Sequence, residues 1–144
     1  MNTAKKRYSE GADYTQVKLQ DIRQFLNKEA PLEVFAYQQE VAGDQLIHIE
    51  SPELTCICPF SDMPDFGTVT IEYVPTDYCL ELKSFKLFIG AFRDLKVFHE
   101  GVTEVIAAEF AAAVKPKWAE VTVAMNPRGN VTTVCKKQVG KRTE

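Results

Sequence analysis

The chain of 144 residues has no apolar run near the ~20 residues that a membrane-spanning helix requires, so no span is expected. A G-x-G-x-x-G fingerprint and a G-x-x-x-x-G-K-[ST] loop are both missing, which excludes the two commonest backbone cradles for nucleotide phosphates. Cys56 and Cys58 are separated by one residue instead of two and have no second pair, so with Cys79 and His99 they fall short of zinc-knuckle spacing. Nor do 4 cysteines make a disulfide framework in a chain of this size. Positive charge is not in excess: 17 Lys and Arg against 20 Asp and Glu leave −3, so no global field draws nucleic acid or anionic lipid. Lys5, Lys6 and Arg7 are followed by no apolar segment, so no secretory signal is read. Repeats and low-complexity segments are absent. The expectation is a cytoplasmic protein with reduced thiols, no metal, no membrane contact and no direct nucleic-acid partner. Any anionic ligand must be held by a local basic cluster.

What is present is ordinary globular composition, 45% apolar and 26% charged, enough for one hydrophobic core. Residues 1–15 read as a mobile polar arm, 16–137 as a single domain and 138–144 as a polar tail. Leu19, Ile22 and Leu26 share one short helical face. Glu33–Tyr37 is rich in strand formers, Ala42-Gly43-Asp44 reads as a turn, and Gln45–Ser51 alternates loosely, which together predict a first hairpin. Thr68–Val74 is the clearest half-buried strand, with Val69, Ile71 and Tyr73 on one face. Leu82, Phe85, Phe88, Ile89 and Phe92 keep helical spacing, and so do Val102, Val105, Ile106, Phe110 and Ala113. Lys115-Pro116-Lys117 stops the second helix. Val121, Val123 and Met125 lie on a strand, Asn126–Asn130 has turn composition, and Val131–Lys136 is the return strand. Strands, two consecutive helices, then strands describe an α+β domain with an antiparallel sheet.

The chain is organised around Cys58-Pro59-Phe60-Ser61-Asp62-Met63-Pro64-Asp65. Two prolines restrict the segment, and it carries a thiol and a carboxyl that can serve as nucleophile and proton donor. A proline-stiffened connector with an inert buried cysteine is the alternative. Lys83 and Lys86 share a helix face at a helix start, where a bound phosphate suits the local charge; a solvated lysine face is the plain reading. Glu100, beside His99, can accept paired N–H groups from a ring edge or simply serve the start of its helix. Arg128, in a turn, can reach a phosphate.

Four segments in this order, Cys58-Pro59 with Asp65-Phe66, Glu81-Leu82-Lys83-Ser84-Phe85-Lys86-Leu87-Phe88, Phe98-His99-Glu100 and Pro127-Arg128-Gly129, resemble the NADPH-dependent nitrile reductases of queuosine biosynthesis, the 7-cyano-7-deazaguanine reductases, in their short single-domain form. The resemblance covers residues from about 51 to 135. It implies the tunnelling fold (T-fold), shared with GTP cyclohydrolase I, and ring-forming homo-oligomers. Two stacked pentamers would make a decamer with active sites between subunits. It implies reduction of a 7-deazapurine nitrile to the primary amine by two NADPH through a cysteine thioimide. By resemblance, Cys58 is the nucleophile and Asp65 the proton donor. Leu80, Glu81, Leu82, His99 and Glu100 border the substrate. Lys83, Ser84, Lys86 and Arg128 hold the cofactor. The chain departs from the family pattern at Leu82, where many members carry serine, and at Asn130, which replaces a second glycine. Cys56 adds a second thiol on the same side of an extended chain as Cys58. Rival readings are a metal-dependent, non-reductive pterin or purine enzyme of the same fold and a ring-shaped purine-binding protein.

Overall fold

Val69, Ile71 and Tyr73, the alternating apolar residues of the clearest strand, are all buried in the computed structural model, which describes residues 17–142. In chain order the elements are α1 (Leu19–Glu29), β1 (Val34–Ala36), β2 (Ile47–Ile57), β3 (Pro64–Val74), β4 (Tyr78–Leu80), α2 (Leu82–Gly90), α3 (His99–Val114), β5 (Trp118–Arg128) and β6 (Val131–Gly140). The main sheet is antiparallel in the order β2-β3-β5-β6. Both helices of the long crossover fall between its second and third strands, the arrangement expected of the tunnelling fold.

The inner face of that sheet carries Leu54, Cys56, Val69, Ile71, Tyr73, Val121, Val123 and Met125, buried in one core with residues of all three helices. The period-two pattern of the strands and the 3.6-residue pattern of the helices explain which residues meet there. Tyr73 crosses Phe110 of α3 edge to face at 4.9 Å. Its hydroxyl accepts the Leu80 N–H at 3.0 Å, so a buried phenol finds the polar partner it needs. Burial pushes the Tyr73 phenol up to about 12. Among the described residues no helix is long and apolar enough to cross a membrane.

Three boundaries differ from the sequence reading. The hairpin expected between Glu33–Tyr37 and Gln45–Ser51 does not form. Val34–Ala36 pairs with Tyr78–Leu80 in a separate two-stranded sheet, and β2 pairs with β3. The Ala42–Gly43 turn signal is local, with Gly43 at φ +125°, but three-residue β1 offers too little apolar surface to hold the 11-residue β2. The Cys58–Asp65 connector is shorter than expected, because β2 runs to Ile57 and β3 starts at Pro64. Finally, β5 and β6 extend inward to Arg128 and outward to Gly140, so the turn shrinks to Gly129-Asn130, both in the left-handed region.

Ser51-Pro52-Glu53 explains a register shift in β2. Proline cannot donate to a ladder and is tolerated on an edge strand at a bulge, and the pairing shifts between Ser51 and Leu54. Before the shift the odd residues Ile47 and Ile49 are the sheltered ones; after it Leu54 and Cys56 are buried. Beyond the bulge Cys56 faces Asp65 across the ladder, which brings the end of β2 to the start of β3 in the register the site requires.

Helix α1 is pinned to α3 by Arg23 Nε donating to Glu109 Oε2 at 2.6 Å, with Glu109 only 6% exposed. Removing the guanidinium strands a buried carboxylate. Arg23→Met is expected to cost on the order of 3 kcal/mol, read as a lower denaturant midpoint. The double variant Arg23→Met/Glu109→Leu should recover much of that loss, because the stranded charge is gone.

Candidate active site

Cys58 opens a closed turn. Its N–H donates to the Met63 carbonyl and its carbonyl accepts from the Asp62 N–H, each at 2.9 Å. Asp62 takes a left-handed φ of 59°, a conformation aspartate tolerates better than most residues. The residue before the turn is clamped from outside. Ile57 N–H donates to Leu95 at 2.9 Å, and its carbonyl accepts from Val97 N–H at 3.1 Å. Lys96, between them, reaches Asp62 at 2.9 Å. The segment joining α2 to α3 therefore fixes where the Cys58 thiol stands.

Asp65 lies at the start of β3 and is 6% exposed. A carboxylate this buried needs charged or hydrogen-bonding partners. Arg128 Nη1 donates to Oδ1 at 2.7 Å and to the Pro64 carbonyl at 3.0 Å. His99 Nε2 meets Oδ2 at 3.1 Å, and His99 Nδ1 meets Thr133 Oγ1 at 3.0 Å. His99 begins α3, where its carbonyl accepts from Thr103 Oγ1 at 2.8 Å. Glu100 follows in the first turn and is exposed. The helix is capped by Phe98 without a side-chain bond, and among the described residues no group donates to the Glu100 carboxylate.

Cys58, Asp65, His99, Glu100 and Arg128 line one cavity of about 270 Å³, completed by Phe98, Asn126, Val131 and Thr133. This is near the lower end of small-molecule sites, which span roughly 300–1,000 Å³. A thiol, a carboxylate and an imidazole around one cavity can form and break a covalent adduct while moving protons. Thr133 was missed by sequence reasoning. Its only signal was its place on the return strand, and its partner His99 lies 34 residues away.

The second cysteine is not equivalent to the first. Cys56 is fully buried on the inner face, whereas Cys58 is partly exposed. Burial first, then the nearby Asp65 and Cys58, pushes the Cys56 thiol up to about 12. A thiol held neutral at physiological pH is a poor nucleophile.

The remaining site candidates gather elsewhere on the chain. Glu81 caps α2, its carboxylate accepting from Lys83 N–H at 2.8 Å and Ser84 N–H at 2.7 Å. Those bonds hold the Glu81 carboxyl below its ordinary range. The anion at this helix start is thus the chain's own carboxylate, which occupies the Lys83 and Ser84 N–H groups. Ser84 is buried, with its hydroxyl donating to the Glu81 carbonyl at 2.8 Å and accepting from Glu33 N–H at 2.9 Å. Its hydroxyl is engaged in fixing the start of α2. Leu80 is buried with its N–H on Tyr73. Lys83, Lys86 and Leu82 are exposed, and Lys86 and Leu82 line a separate cleft between α2 and the β2 bulge. Within one chain the lysines and the Cys58 cavity are not brought together.

Residues 64–144 match the family described as QueF-like protein. Over 99 residues the chain is 46% identical to the NADPH-dependent 7-cyano-7-deazaguanine reductase of Prochlorococcus marinus (strain NATL2A), covering 69% of this chain and 71% of that one. Over 96 residues it is 45% identical to the enzyme of the same name from Anaeromyxobacter dehalogenans (strain 2CP-C), covering 67% and 79%. Among solved structures it superposes on the apo form of the archaeosine synthase QueF-Like with a TM-score of 0.63 at 24% identity, over 68% of this chain and 96% of that one, a likeness of fold.

The contrast between the thiols is directly measurable. Brief alkylation of the folded chain at mildly alkaline pH is expected to modify Cys58 and Cys135, both partly exposed, and to spare Cys56 and Cys79, both buried. Peptide mass mapping reads the outcome. Rapid labelling of Cys56 in folded protein would contradict the assignment.

Proposed function

The chain belongs to the QueF-like family of NADPH-dependent 7-cyano-7-deazaguanine reductases, and we propose that it performs the family's nitrile reduction in the cavity between the Cys58 turn, the start of α3 and the β5–β6 turn. The reaction converts the nitrile of 7-cyano-7-deazaguanine to the primary amine 7-aminomethyl-7-deazaguanine, a step of queuosine biosynthesis. The observation that carries the site assignment is the convergence of Cys58, Asp65, His99 and Glu100 on one cavity from separate parts of the chain.

Cys58 is the nucleophile. As its sulfur attacks the nitrile carbon, the S–H proton passes to the Asp65 carboxylate and from there to the nitrile nitrogen. The sum is addition of S–H across the C≡N bond, giving a thioimide. The C=N bond so formed accepts hydride more readily than the nitrile, which is the benefit of dividing a hard step. NADPH, when bound, supplies the hydride, and two are needed for a four-electron reduction. Between the two reductions the C–S bond breaks and Cys58 leaves as thiolate. His99 closes one side of the cavity over the imine, and Glu100 accepts N–H groups from the ring edge.

Lys83, Lys86 and Arg128 are assigned to the cofactor's phosphates, with Ser84 supporting them by fixing the start of α2. Leu80, Glu81 and Leu82 border the substrate through the same stretch. Arg128 uses only Nη1 for Asp65 and Pro64, and a guanidinium has five N–H donors, so it can serve both tasks. Because the lysines and the thiol lie apart in one chain, the lysines of one subunit are placed against the Cys58 cavity of a neighbour. A ring-forming homo-oligomer, two pentamers stacked as a decamer, is the proposed assembly. The outer edge of β6, which among the described residues pairs on one side alone, and the exposed Val131 and Val134 support such contacts. A single domain over residues 16–137 and a cytoplasmic location complete the reading.

Two experiments test it. With 7-cyano-7-deazaguanine as substrate, two NADPH should be oxidised per amine formed. Without NADPH the chain should gain one substrate mass at Cys58. Cys58→Ala should lose both adduct and turnover, whereas Cys56→Ala should keep both. A ratio of one with aldehyde accumulating would count against a shielded imine.

The second experiment addresses the shared site. Cys58→Ala and Lys83→Ala/Lys86→Ala are each expected to lower kcat/KM for NADPH by at least ~10²-fold, a loss typical of a missing nucleophile or phosphate clamp. Mixing the two variants under conditions of subunit exchange should restore part of the activity, because some interfaces then combine an intact thiol with intact lysines. Absence of any recovery would place both groups in the same subunit's site.

A further inference from the structure

One hydrogen bond at this cavity has no part in the reaction as described. Thr133 Oγ1 lies 3.0 Å from His99 Nδ1, on the side of the ring opposite Asp65. Asp65, paired through Oδ1 with Arg128 at 2.7 Å, is an acceptor as a carboxylate. Its partners therefore place the hydrogen of neutral His99 on Nε2, with Nδ1 accepting from the Thr133 hydroxyl. A hydroxyl can also accept. When the ring is protonated at Nδ1, Thr133 turns from donor to acceptor without leaving its place. An aliphatic side chain can do neither.

The proton inventory gives this pairing a task. Forming the thioimide recycles one proton internally, from sulfur to nitrogen. Converting a nitrile to an amine also takes up two protons from outside, one for each hydride. Asp65 is nearly sealed from solvent, but the His99 ring is 21% exposed and Thr133 is partly exposed on the outer strand β6. His99 and Thr133 lead from the buried carboxylate to water. The other titratable or charged groups lining the cavity are Cys58 from the turn, Glu100 from α3 and Arg128 from β5; β6 contributes the uncharged Thr133.

We infer that Thr133 is a positioning residue for a proton path from water through His99 to Asp65, which refills Asp65 during the two reductive steps. A proton from water joins Nδ1 as the Nε2 proton passes to Asp65, and Thr133 turns from donor to acceptor. Asp65 gives its proton to the reacting nitrogen. With Asp65 again a carboxylate, the partly exposed ring takes a second proton from water at Nε2 and returns the Nδ1 proton to water, and Thr133 turns back to donor. Each pass moves one water-derived proton, two passes serve each amine, and neither His99 nor Thr133 bonds to carbon. This inference rests on the nitrile-reductase reading above.

The test compares Thr133→Val, which keeps the shape and loses the hydroxyl, with Thr133→Ser, which keeps the hydroxyl. Thr133→Val is expected to form the cysteine adduct as the parent chain does, since that step needs no outside proton. Its kcat for NADPH oxidation should fall roughly tenfold or more, within the ~10²–10⁴-fold worth of a positioned acid–base group, with little change in KM for the nitrile. The deficit should deepen as pH rises and solvent protons become scarce. Thr133→Ser should retain most of the parent's kcat and its pH profile. Parental kcat and pH profile in Thr133→Val would overturn the inference. So would a Thr133→Ser that fails like Thr133→Val, or a Thr133→Val that loses adduct and turnover equally, which would mark a merely structural role. A parent chain that forms no adduct with the nitrile would instead sink the nitrile-reductase reading itself.

Discussion

The structure turns on one buried carboxylate. Asp65 sits where β2, β3 and the β5–β6 turn meet, with almost no access to water. A desolvated charge is costly unless its oxygens are filled. Arg128 fills one and His99 the other, at 2.7 and 3.1 Å. Those two residues come from β5 and from the first turn of α3, so satisfying Asp65 fixes the end of a strand pair against the start of a helix. Thr133 extends the tie to β6. The cavity is the space left between these partners, and its chemistry follows from what had to be placed there to keep a carboxylate inside.

The bulge at Pro52 does comparable work for the thiols. A strand that kept its register would carry the sheltered parity of Ile47 and Ile49 through to Ile57. The shift between Ser51 and Leu54 exchanges the two faces, so Leu54 and Cys56 enter the core and Cys56 stands opposite Asp65. Cys58 comes two residues later, where the ladder has ended and the chain turns back. Two thiols only two residues apart thereby acquire opposite characters, one neutral inside the core and one at a cavity wall. The clamp from Leu95 and Val97 onto Ile57 keeps that boundary sharp.

The α2 region shows a different economy of charge. Its helix start is closed by Glu81, and Ser84 ties that start to Glu33. The backbone is thus satisfied internally, and what it presents outward is side chains, Lys83 and Lys86 above all. A rigid, self-capped helix carrying exposed cations suits a ligand supplied with its other half by a second surface. Among the described residues β6 pairs on one side alone, an edge on which such a surface can form.

Much of this was legible in the residues themselves. The alternation of Val69, Ile71 and Tyr73, the helical spacing through Phe85, Phe88 and Ile89 and through Val102, Val105, Ile106 and Phe110, and the stop at Lys115-Pro116 each report a local periodicity, and local periodicity is a property of sequence. Cys58, Asp65 and the motifs at Glu81–Lys86, His99-Glu100 and Arg128 could be named as candidates for another reason, their residue types and their resemblance to a known family. Sequence could not choose the partner of β2, because that depends on which strand buries more apolar surface against it, and β3 outcompetes the short β1. It could prefer Cys58 over Cys56 by resemblance but could not show that Cys56 is buried and Cys58 partly exposed, because burial is decided by the fold. It could not show that Glu81 already answers the N–H groups of α2, or that Thr133 stands behind His99. Those contacts join residues brought together only when the sheet and helices close around the core, and in that closure a buried charge selects its partners by distance in space.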